Sequence, residues 1–487
     1  MTTFRHVVVD LLAVFDWAVV AYFVAINTSY LVLLALASRS FARYLRWKPF
    51  LGYDETAVSS LTPPVSIIVP AYNEEAGIVE SVSAMMALNY PELEVVVVVD
   101  GSKDATLERL VSHFGLVATP LVWDPEIPTR VDPRRVYRPT GSAPLVVVEK
   151  ENSGRADSIN VGINVARYPL VCMVDADSIL DADAILHVVQ PFIDDPERVV
   201  GTGGVIRAAN GCDVALGRIT RVRMPREWVA RIQVVEYLRA FLLGRTGWSE
   251  LNSLLVISGA FGMFRRDIVV AAGGLDPSTI GEDAELVIRI HRWMRDRSKE
   301  YRLVFVAEPV SWTEVPATLP VLARQRRRWS RGLAEILWRH RRMMLNPRYG
   351  RIGLLALPYY LLFELMAPII EVLGVFAVIA GIAVGAVNLE FGALYLAVAV
   401  IYAMTLSFAS LLIEEVSFHR YNRWRDLAVA GAVSVAENLG YRQAVAVFQL
   451  QGLWAALTKK QQVWGEMTRV GFGQPATDSA ATGADRP

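Results

Sequence analysis

Apolar residues fall into two kinds of segment along this chain. Runs of about 20 apolar residues, the length that a helix needs to cross a bilayer, lie near both ends. Between them, from about 62 to 320, the apolar runs are short and alternate with amphipathic stretches. The pattern predicts a folded central domain flanked by membrane helices.

The first long run extends from about Trp17 to Ser38, and basic residues follow it between 39 and 48. A cleaved signal peptide is the rival interpretation, because Ala35-Leu36-Ala37 resembles a cleavage site. The run is too long for a signal peptide, however, and the basic residues lie on its wrong side. Residues 1–50 are therefore predicted to form a membrane anchor, with everything from Arg39 onward in the cytoplasm.

Two further runs, Ile352 to Val387 and Phe391 to Ile413, are joined by the short segment Asn388-Leu389-Glu390. Basic residues flank both sides, so residues 352–416 are predicted to form a transmembrane hairpin. A weaker run from 427 to 457 is interrupted by polar and charged residues. It predicts re-entrant or interfacial helices, or a weak hairpin, within 427–470. Residues 473–487 are small and polar and are predicted to be disordered.

Four buried strands are predicted in the central domain, each followed by a turn or helix. They are Val65 to Val69, Glu94 to Val99, Leu145 to Val148 and Leu170 to Val174. Short, fully apolar strands that alternate with helices indicate an α/β fold with a mostly parallel sheet. Ligands of such sheets bind at the carboxyl ends of the strands.

Acidic clusters follow three of these strands. Tyr72, Asn73 and Glu74 follow the first strand, Asp100 ends the second, and Asp175-Ala176-Asp177 follows the fourth. An Asp-x-Asp sequence at a strand end suits a hard divalent cation such as Mg²⁺ or Mn²⁺, although alone it also fits a solvated loop. The chain has no GxGxxG dinucleotide fingerprint and no Walker A lysine, so the standard dinucleotide and P-loop sites are excluded.

Composition supports the membrane assignment. Of the 487 residues, 53% are hydrophobic and only 20% are charged, and the 49 Lys+Arg balance the 49 Asp+Glu. The chain is thus more apolar than a typical soluble protein. Its two cysteines, Cys172 and Cys212, indicate neither a disulfide framework nor a thiolate zinc site.

Seven motifs, in this order, resemble those of the membrane-integrated family 2 glycosyltransferases, the group of hyaluronan, chitin, poly-N-acetylglucosamine and cellulose synthases. They are VPAYNE, VDGS, KENSGRADSIN, VDADS, ISGAFG, GED and QRRRW, between Val65 and Trp329. The resemblance implies a GT-A domain at 62–320, with a Rossmann-like, mostly parallel sheet. It also implies a nucleotide-sugar donor, a divalent cation and inversion at the transferred sugar.

The resemblance assigns the donor site as follows. Tyr72, Glu74 and Asp100 match positions that hold the donor's uridine. Asp175 and Asp177 match the metal-binding DxD, Asp177 more directly, and Asp175 is also assigned to the donor.

A further donor-contacting segment is matched by Arg155 and Asp157. Lysine is commoner than arginine at the first of these two positions. Arginine keeps the charge but presents a planar fork instead of a point donor.

Asp283 in GED matches the family's catalytic base, and a carboxylate is a natural acceptor for the proton of an attacking hydroxyl. Its neighbour Glu282 would raise the pKa of Asp283 by repulsion if the two are close. GED is also a plain helix start, favoured by the helix dipole, and both interpretations can hold at once. Gly259 matches an acceptor-side loop, with packing as the alternative role.

The motif QRRRW supplies Gln325, Arg328 and Trp329, which the resemblance assigns to the acceptor on an interfacial helix within 321–350. Trp329 offers a flat face to a sugar ring, Gln325 can bind its hydroxyls, and Arg328 can face the diphosphate or a carboxylate. The other arginines of this segment are expected to bind anionic lipid headgroups. These are Arg324, Arg326, Arg327 and Arg331.

Two features near the C-terminus leave alternatives open. Trp464 and Arg469 resemble a gating segment of hyaluronan synthases, and they equally fit an aromatic belt residue beside a basic anchor. Glu364 and Glu371 would line a polar path through the membrane, or mark an interfacial helix before the true crossing.

The sequence thus predicts a multi-pass protein of the cell membrane with a cytoplasmic catalytic domain. Its expected activity is processive transfer from a UDP-sugar, UDP-N-acetylglucosamine or UDP-glucose, to a growing β-linked glycan, with translocation as a family expectation. The alternatives are a single-sugar transferase with a lipid-linked acceptor and a non-catalytic sugar-nucleotide-sensing subunit. Membrane lipid and a homodimer or secretion partner are expected partners, and nucleic acid is not.

Overall fold

The computed structural model describes residues 2–47, 52–383, 385, 389–421 and 423–458. The predicted gating residues Trp464 and Arg469 and the predicted disordered tail at 473–487 lie outside the described residues.

The central domain is built on strands that follow the predicted apolar runs. The strands are β1 Val65–Ala71, β2 Leu93–Asp100, β3 Leu116–Thr119, β4 Arg135–Pro139, β5 Leu145–Lys150, β6 Leu170–Val174, β7 Ile179–Leu180, β8 Val199–Ala208, β9 Asp213–Ala215, β10 Arg218–Arg221, β11 Phe261–Arg265 and β12 Arg302–Thr313. Every residue of β2 and β6 is buried. Because successive side chains of a strand point to opposite faces, both faces of the sheet are covered there.

Ten of these strands form one sheet in the order β3-β4-β5-β2-β1-β6-β11-β8-β12-β7, and β9 and β10 form a separate hairpin. The four predicted strands are the central run β5-β2-β1-β6, and all four are parallel. Strand β11 inserts antiparallel between β6 and β8, and β4 and β7 are also antiparallel to their neighbours. The other seven strands share one direction, which confirms the predicted α/β class with a mostly parallel sheet.

The helices within and around this domain are short to moderate in length. They are α2 Tyr53–Val58, α3 Ile78–Met86, α4 Thr106–Phe114, α5 Arg155–Val165, α6 Ala184–Asp194, α7 Trp228–Leu238, α8 Thr246–Glu250, α9 Arg266–Ala271, α10 Glu282–Asp296 and α11 Leu319–Arg339. A π-helical segment, Arg239–Arg245, joins α7 to α8. Helix α5 packs closely on β1, since a Cβ added at Gly162 would lie 2.3 Å from Ile68 Cγ2.

Long apolar helices flank the domain on both sides. They are α1 Thr2–Trp47 at the N-terminal side and α12 Leu357–Tyr359, α13 Ala367–Ala383, α14 Leu389–Ser417, α15 Trp424–Ala436 and α16 Arg442–Leu457 at the C-terminal side. Among the described residues, two segments are long and apolar enough to cross a membrane, Trp17–Trp47 and Val400–Ser417. A third candidate is the bent pair Ile352–Leu365 and Ala367–Ala383, whose halves meet at 41°.

The membrane segments differ in detail from the sequence expectation. The run from 352 bends beside Met366, and Leu389 and Glu390 belong to α14 instead of a turn. Asn388 lies outside the described residues. Helices α15 and α16 are separated at Leu439 and Gly440, whose backbone is not helical. Glycine suits this break because Gly440 has φ +88°.

Buried ion pairs join the central sheet to the C-terminal helices. The guanidinium of Arg207 on β8 donates through Nη1 to Glu414 Oε1 of α14 at 2.7 Å, and both side chains are buried. Arg239 donates to Glu437 at 2.6 Å and to Ser407 Oγ of α14 at 2.6 Å. A buried guanidinium is strongly destabilising unless a carboxylate pairs with it, and Glu414 and Glu437 provide that pairing here. The domain and the C-terminal helices therefore share one packed interior.

Candidate active site

The loops after β1 and β2 are tied to each other by hydrogen bonds. The backbone N–H of Asn73 donates to Ser102 Oγ at 3.1 Å, and Lys103 N–H donates back to Asn73 Oδ1 at 2.8 Å. Asn73 has φ +54°, a left-handed conformation that asparagine adopts more readily than most residues. Beside it, Tyr72 is 40% exposed and Glu74 is half-buried, so both side chains border the surface at this edge of the sheet.

Asp100 ends β2 and is buried, with both carboxylate oxygens already occupied. Oδ1 accepts from Lys150 Nζ at 2.6 Å and from Ser153 N–H at 3.0 Å, and Oδ2 accepts from Gly154 N–H at 2.9 Å. The carboxylate thus fixes the loop that leads into α5. Its predicted contact with uridine stays a prediction, and the contacts seen here are structural.

Lys150 is a residue that the sequence analysis did not single out. Its side chain is fully buried, paired with Asp100 and 3.5 Å from Asp157 Oδ2. Asp157 is also fully buried and accepts from Arg130 N–H at 2.7 Å. The sequence signal that could have identified Lys150 is its position at the end of an apolar strand. A buried ammonium group needs carboxylate partners, so such a lysine indicates a buried charged cluster. Asp157 therefore holds the interior of the loop in this structure, and its predicted donor contact stays a prediction.

Arg155, at the start of α5, joins three separate parts of the chain. Nε donates to Asp175 Oδ1 at 2.8 Å, Nη1 donates to Glu282 Oε1 at 2.8 Å, and Nη2 donates to the Gly259 carbonyl at 2.8 Å. The planar fork of arginine makes these three contacts possible at once. The DxD, SGAFG and GED motifs therefore meet around one guanidinium.

Charges around Arg155 change the protonation equilibria of the cluster. Burial alone lowers the pKa of Arg155, but the carboxylates of Asp175 and Glu282 raise it above its ordinary value. Burial raises the pKa of Glu282, with repulsion from Asp283 adding to this and the Arg155 guanidinium opposing it. Glu282 is thus a carboxyl group that takes up a proton more readily than usual, directly beside Asp283.

Asp283 lies in the first turn of α10 and faces the SGAFG loop. Its Oδ2 accepts from the Gly259 N–H at 3.0 Å, and its Oδ1 accepts from the Ala284 N–H at 2.8 Å. A Cβ added at Gly259 would lie 2.8 Å from Arg155 Nη2, so a larger residue here would displace the guanidinium from its present contacts. The helix-start and catalytic interpretations of GED are compatible with this geometry.

The Asp-x-Asp pair offers two carboxylates directly after β6, and Asp175 is already bound to Arg155. Among the residues that the structure describes, no cluster of three or more His, Cys, Asp or Glu side chains suits a metal. Mg²⁺ and Mn²⁺ typically take one or two carboxylates and complete their shell with phosphate oxygens and water. Two carboxylates at a strand end therefore fit a cation that is held jointly with a phosphorylated ligand.

Helix α11, which carries QRRRW, crosses the start of α10. A Cβ added at Gly332 would lie 3.4 Å from the backbone nitrogen of Gly281, so the two helices are in close contact there. Trp329 lies one turn earlier on α11 and is 43% exposed. The Arg326 guanidinium stacks on its ring, with Cζ 4.5 Å from the centroid. Trp329 therefore presents one partly open aromatic face near the GED motif.

The expectation that the arginines of this helix bind lipid headgroups is wrong for two of them. Arg326 is buried and donates to Glu236 at 2.7 Å, while Arg331 pairs with Glu335 at 2.7 Å. Their partners neutralise them within the protein, so they serve packing. Arg324 is exposed and Arg327 half-buried.

The two other acceptor residues of this motif are not freely exposed. Gln325 is buried, with its Oε1 lacking a hydrogen-bond partner among the described residues, and Arg328 is half-buried. An unused buried acceptor is uncommon and is costly unless a ligand or water satisfies it. The geometry thus leaves Gln325 Oε1 available for a donor such as a hydroxyl.

Arg245 is a second residue that the sequence analysis missed. It lies in the π-helical segment between α7 and α8, with its Cζ 3.9 Å from the Phe241 ring centroid. Its Nη1 is buried without a hydrogen-bond partner, and no ion pair forms to it within the described ranges. Burial lowers its pKa, although Tyr360 and Asp283 act in the opposite direction. Arg245 therefore brings an uncompensated positive charge into the surroundings of Asp283.

Comparison with known proteins identifies the domain. Residues 170–412 match the model "Glycosyl transferase family group 2", and residues 66–120 match the model "Glycosyl transferase family 2". The poly-β-1,6-N-acetyl-D-glucosamine synthase of Staphylococcus aureus is 28% identical over 306 residues, and that of Staphylococcus epidermidis is 26% identical over 275 residues. The S. aureus match covers 61% of this chain and 61% of the relative, so the chain spans less than two thirds of that relative.

A solved structure shares the fold. It is a mannosyltransferase from Pyrobaculum calidifontis in complex with GDP-mannose and Mn²⁺, with a TM-score of 0.53 and 18% identity. The match covers 91% of this chain and 100% of that structure. It confirms the GT-A-like fold predicted from the motifs. The two family matches, together with the motifs gathered around Arg155, show that the chain belongs to glycosyltransferase family 2.

Proposed function

We propose that this protein polymerises sugar from a UDP-sugar into a β-linked polysaccharide at the cytoplasmic face of the cell membrane, with inversion at the anomeric carbon. UDP-N-acetylglucosamine and UDP-glucose are the proposed donors. The relatives named as poly-N-acetylglucosamine synthases favour the first.

The observation that carries this proposal is the contact of three motifs at Arg155. Asp175 of the DxD segment, Gly259 of the acceptor loop and Glu282 beside Asp283 all bind one guanidinium. A transferase needs the leaving group, the acceptor and the base within one cleft. The three residues are far apart in sequence, so their meeting supports a shared reaction centre.

Asp175 and Asp177 are the proposed ligands of a divalent cation. When bound, such a cation neutralises the leaving diphosphate as a Lewis acid. The Mn²⁺ of the mannosyltransferase from P. calidifontis supports a cation of this kind. Tyr72, Glu74 and Asp100 are the proposed uridine-side residues at the same edge of the sheet.

Asp283 is the proposed general base. The acceptor hydroxyl attacks the anomeric carbon, the bond from that carbon to the diphosphate oxygen breaks, and the hydroxyl proton passes to an Asp283 carboxylate oxygen. The Gly259 N–H holds Oδ2 at 3.0 Å and so orients the carboxylate.

Trp329 is the proposed platform for the terminal sugar of the acceptor. Its exposed face lies on the helix that contacts Gly281, two residues before Asp283. Gln325 and Arg328 complete the proposed acceptor group, and Gln325 Oε1 has no protein partner in the described chain to compete with a sugar hydroxyl.

The membrane arrangement is part of the proposal. Residues 1–50 form the anchor, 62–320 the catalytic domain, 321–350 the interfacial helix, 352–416 the hairpin, and 427–470 the interfacial helices with the gating loop. The apolar segments Trp17–Trp47 and Val400–Ser417 and the bent pair before α14 support several crossings. Translocation, a homodimer or a secretion partner, and the gating role of Trp464 and Arg469 belong to the same proposal.

The test uses purified membranes containing the full chain and a panel of radiolabelled UDP-sugars with Mg²⁺ or Mn²⁺. Incorporation from one UDP-sugar into material whose length grows with donor excess is the expected result. Transfer of one sugar to an organic-extractable acceptor would instead support the single-sugar alternative. Absence of incorporation from every donor, with intact folding, would contradict the proposal.

A further inference from the structure

A cavity of 680 Å³ lies where helix α1 meets the catalytic domain. Its wall combines Ser40 and Arg43 of α1, the end of α8, the C-terminal end of α10 and the start of β12. Helix α10 is 15 residues long, so its two ends are about 22 Å apart. The cavity is thus remote from Asp283, and the proposed reaction does not use it.

The wall of this cavity is strongly cationic. Six of its side chains are Arg or Lys and two are Glu. Arg43 pairs with Glu250 at 2.6 Å, and the remaining arginines apart from Arg295 have aspartate partners. Arg295 and Lys299 have no carboxylate within ion-pair distance in the part of the chain that the structure describes. The cavity therefore carries excess positive charge, which attracts anions.

Two polar atoms of the wall are buried and lack hydrogen-bond partners in the described ranges. They are Nε of Arg295, which is a donor, and Oδ1 of Asn252, which is an acceptor. The other end of the Asn252 amide is used, since Nδ2 donates to the Tyr301 carbonyl at 3.1 Å. Buried polar groups nearly always find a partner, so these two atoms leave unused hydrogen-bonding capacity in residues of the wall.

A single class of ligand satisfies both atoms. Phosphate oxygens accept from Arg295 and attract Lys299, whereas a hydroxyl can donate to Asn252 Oδ1. A volume of 680 Å³ is within the usual range for small-molecule sites. We propose that this cavity binds a phosphate ester that carries a free hydroxyl group, and that the ligand bridges α1 and the catalytic domain.

Such a ligand has two sources, a lipid headgroup and a soluble metabolite. The segment Trp17–Trp47 has 31 residues and spans about 46 Å, more than the hydrocarbon thickness of about 30 Å. Ser40 and Arg43, near its C-terminal end, therefore come to the depth of the headgroups. Phosphatidylglycerol and sn-glycerol 3-phosphate present the same glycerol phosphate from these two sources.

The experiment measures the Tm of the purified full chain in detergent with EDTA, which removes divalent cations that would assist phosphate at Asp175 and Asp177. Short-chain phosphatidylglycerol, sn-glycerol 3-phosphate and short-chain phosphatidylcholine are added separately. Binding to the folded state raises Tm, and the increase grows with ligand concentration. The variants are Arg295→Gln with Lys299→Gln, the single charge reversal Lys299→Glu at an exposed position, and the control Arg109→Gln, an exposed arginine of α4 outside the cavity.

We expect phosphatidylglycerol to raise Tm and phosphatidylcholine not to, with the increase lost in both cavity variants and kept in Arg109→Gln. An increase with sn-glycerol 3-phosphate as well would assign the site to soluble phosphate esters, and its absence would assign it to lipid. No increase with either glycerol phosphate would overturn the proposal, as would an equal increase in Lys299→Glu. Since no sugar transfer is measured, the result does not depend on the proposed activity.

Discussion

Arg155 and Glu282, 127 residues apart in sequence, are joined by a 2.8 Å hydrogen bond, and the same guanidinium holds Asp175 and the Gly259 carbonyl. Lysine in this position can reach one or two of these groups but not all three. We expect Arg155→Lys to lower kcat/KM about tenfold or more, since a hydrogen bond to a charged group contributes about 1.5–3 kcal/mol. Steady-state transfer kinetics provide the measurement. Arg167→Lys, the same change at a largely exposed arginine, is the control and should retain activity.

Asp283→Asn should abolish transfer while donor affinity stays within a few fold. The amide keeps the size of the side chain and can still accept from the Gly259 N–H, but it does not take a proton at neutral pH. Equilibrium binding of UDP with Mn²⁺, measured beside turnover, separates these effects. Asp267→Asn, at an exposed carboxylate, is the matched control. Parallel loss of donor affinity and turnover in Asp283→Asn would show that Asp283 belongs to the donor site instead.

Trp329 and Trp338 form a natural pair for testing the acceptor platform. Both are exposed tryptophans of α11, and each carries a stacked arginine, Arg326 at 4.5 Å and Arg341 at 4.7 Å. We expect Trp329→Ala to reduce glycan transfer much more than donor hydrolysis by water, because only transfer needs the acceptor to be held. Trp338→Ala should change neither rate. If hydrolysis and transfer fall together in Trp329→Ala, the stacking role is wrong.

His291, on the buried face of α10, predicts a pH dependence of stability. Burial lowers its pKa from 6.5 to about 4, and its ring nitrogens contact Tyr301 Oη at 2.6 Å and the Leu254 carbonyl at 2.9 Å. Between pH 6.5 and about 4 the unfolded chain binds a proton here that the folded chain does not, so the free energy of unfolding falls as the pH falls. The full effect is about 3 kcal/mol.

The measurement is Tm as a function of pH for the wild type, His291→Gln and His113→Gln. The stability advantage of the wild type over His291→Gln should shrink as the pH falls through this window. His113 is exposed, so His113→Gln should follow the wild type. Parallel curves for the wild type and His291→Gln would contradict the assignment.

The sequence predicted the central strands well because their signal is local. Strands β1, β2, β5 and β6 are nearly continuous apolar runs, and their carboxyl ends carry the polar residues that the structure places at one edge. The antiparallel insertion of β11 between β6 and β8 was not predicted, since it depends on pairing between distant segments. Strand pairing of this kind leaves no local signature in either partner.

The candidate site was predicted in outline but not in its internal contacts. The motifs named Asp175, Asp283 and Arg155, while the role of Arg155 as their common partner depends on folding. Arg326 was assigned to lipid because its partner Glu236 lies 90 residues away. Lys150 and Arg245 were missed because each is a single charged residue in an apolar stretch. The sequence around such a residue does not show which side chain it contacts in the folded protein.

The ion pair between Arg207 and Glu414 ties the central domain to helix α14, whose segment Val400–Ser417 is long and apolar enough to cross a membrane. A soluble fragment that stopped before α14 would strand the guanidinium of Arg207 in the interior without its counterion, and that of Arg239 without Ser407 and Glu437. Uncompensated buried charge of this kind is strongly destabilising. Excising the central domain for study in water would therefore yield a destabilised protein, and any tilt of α14 would act directly on strand β8.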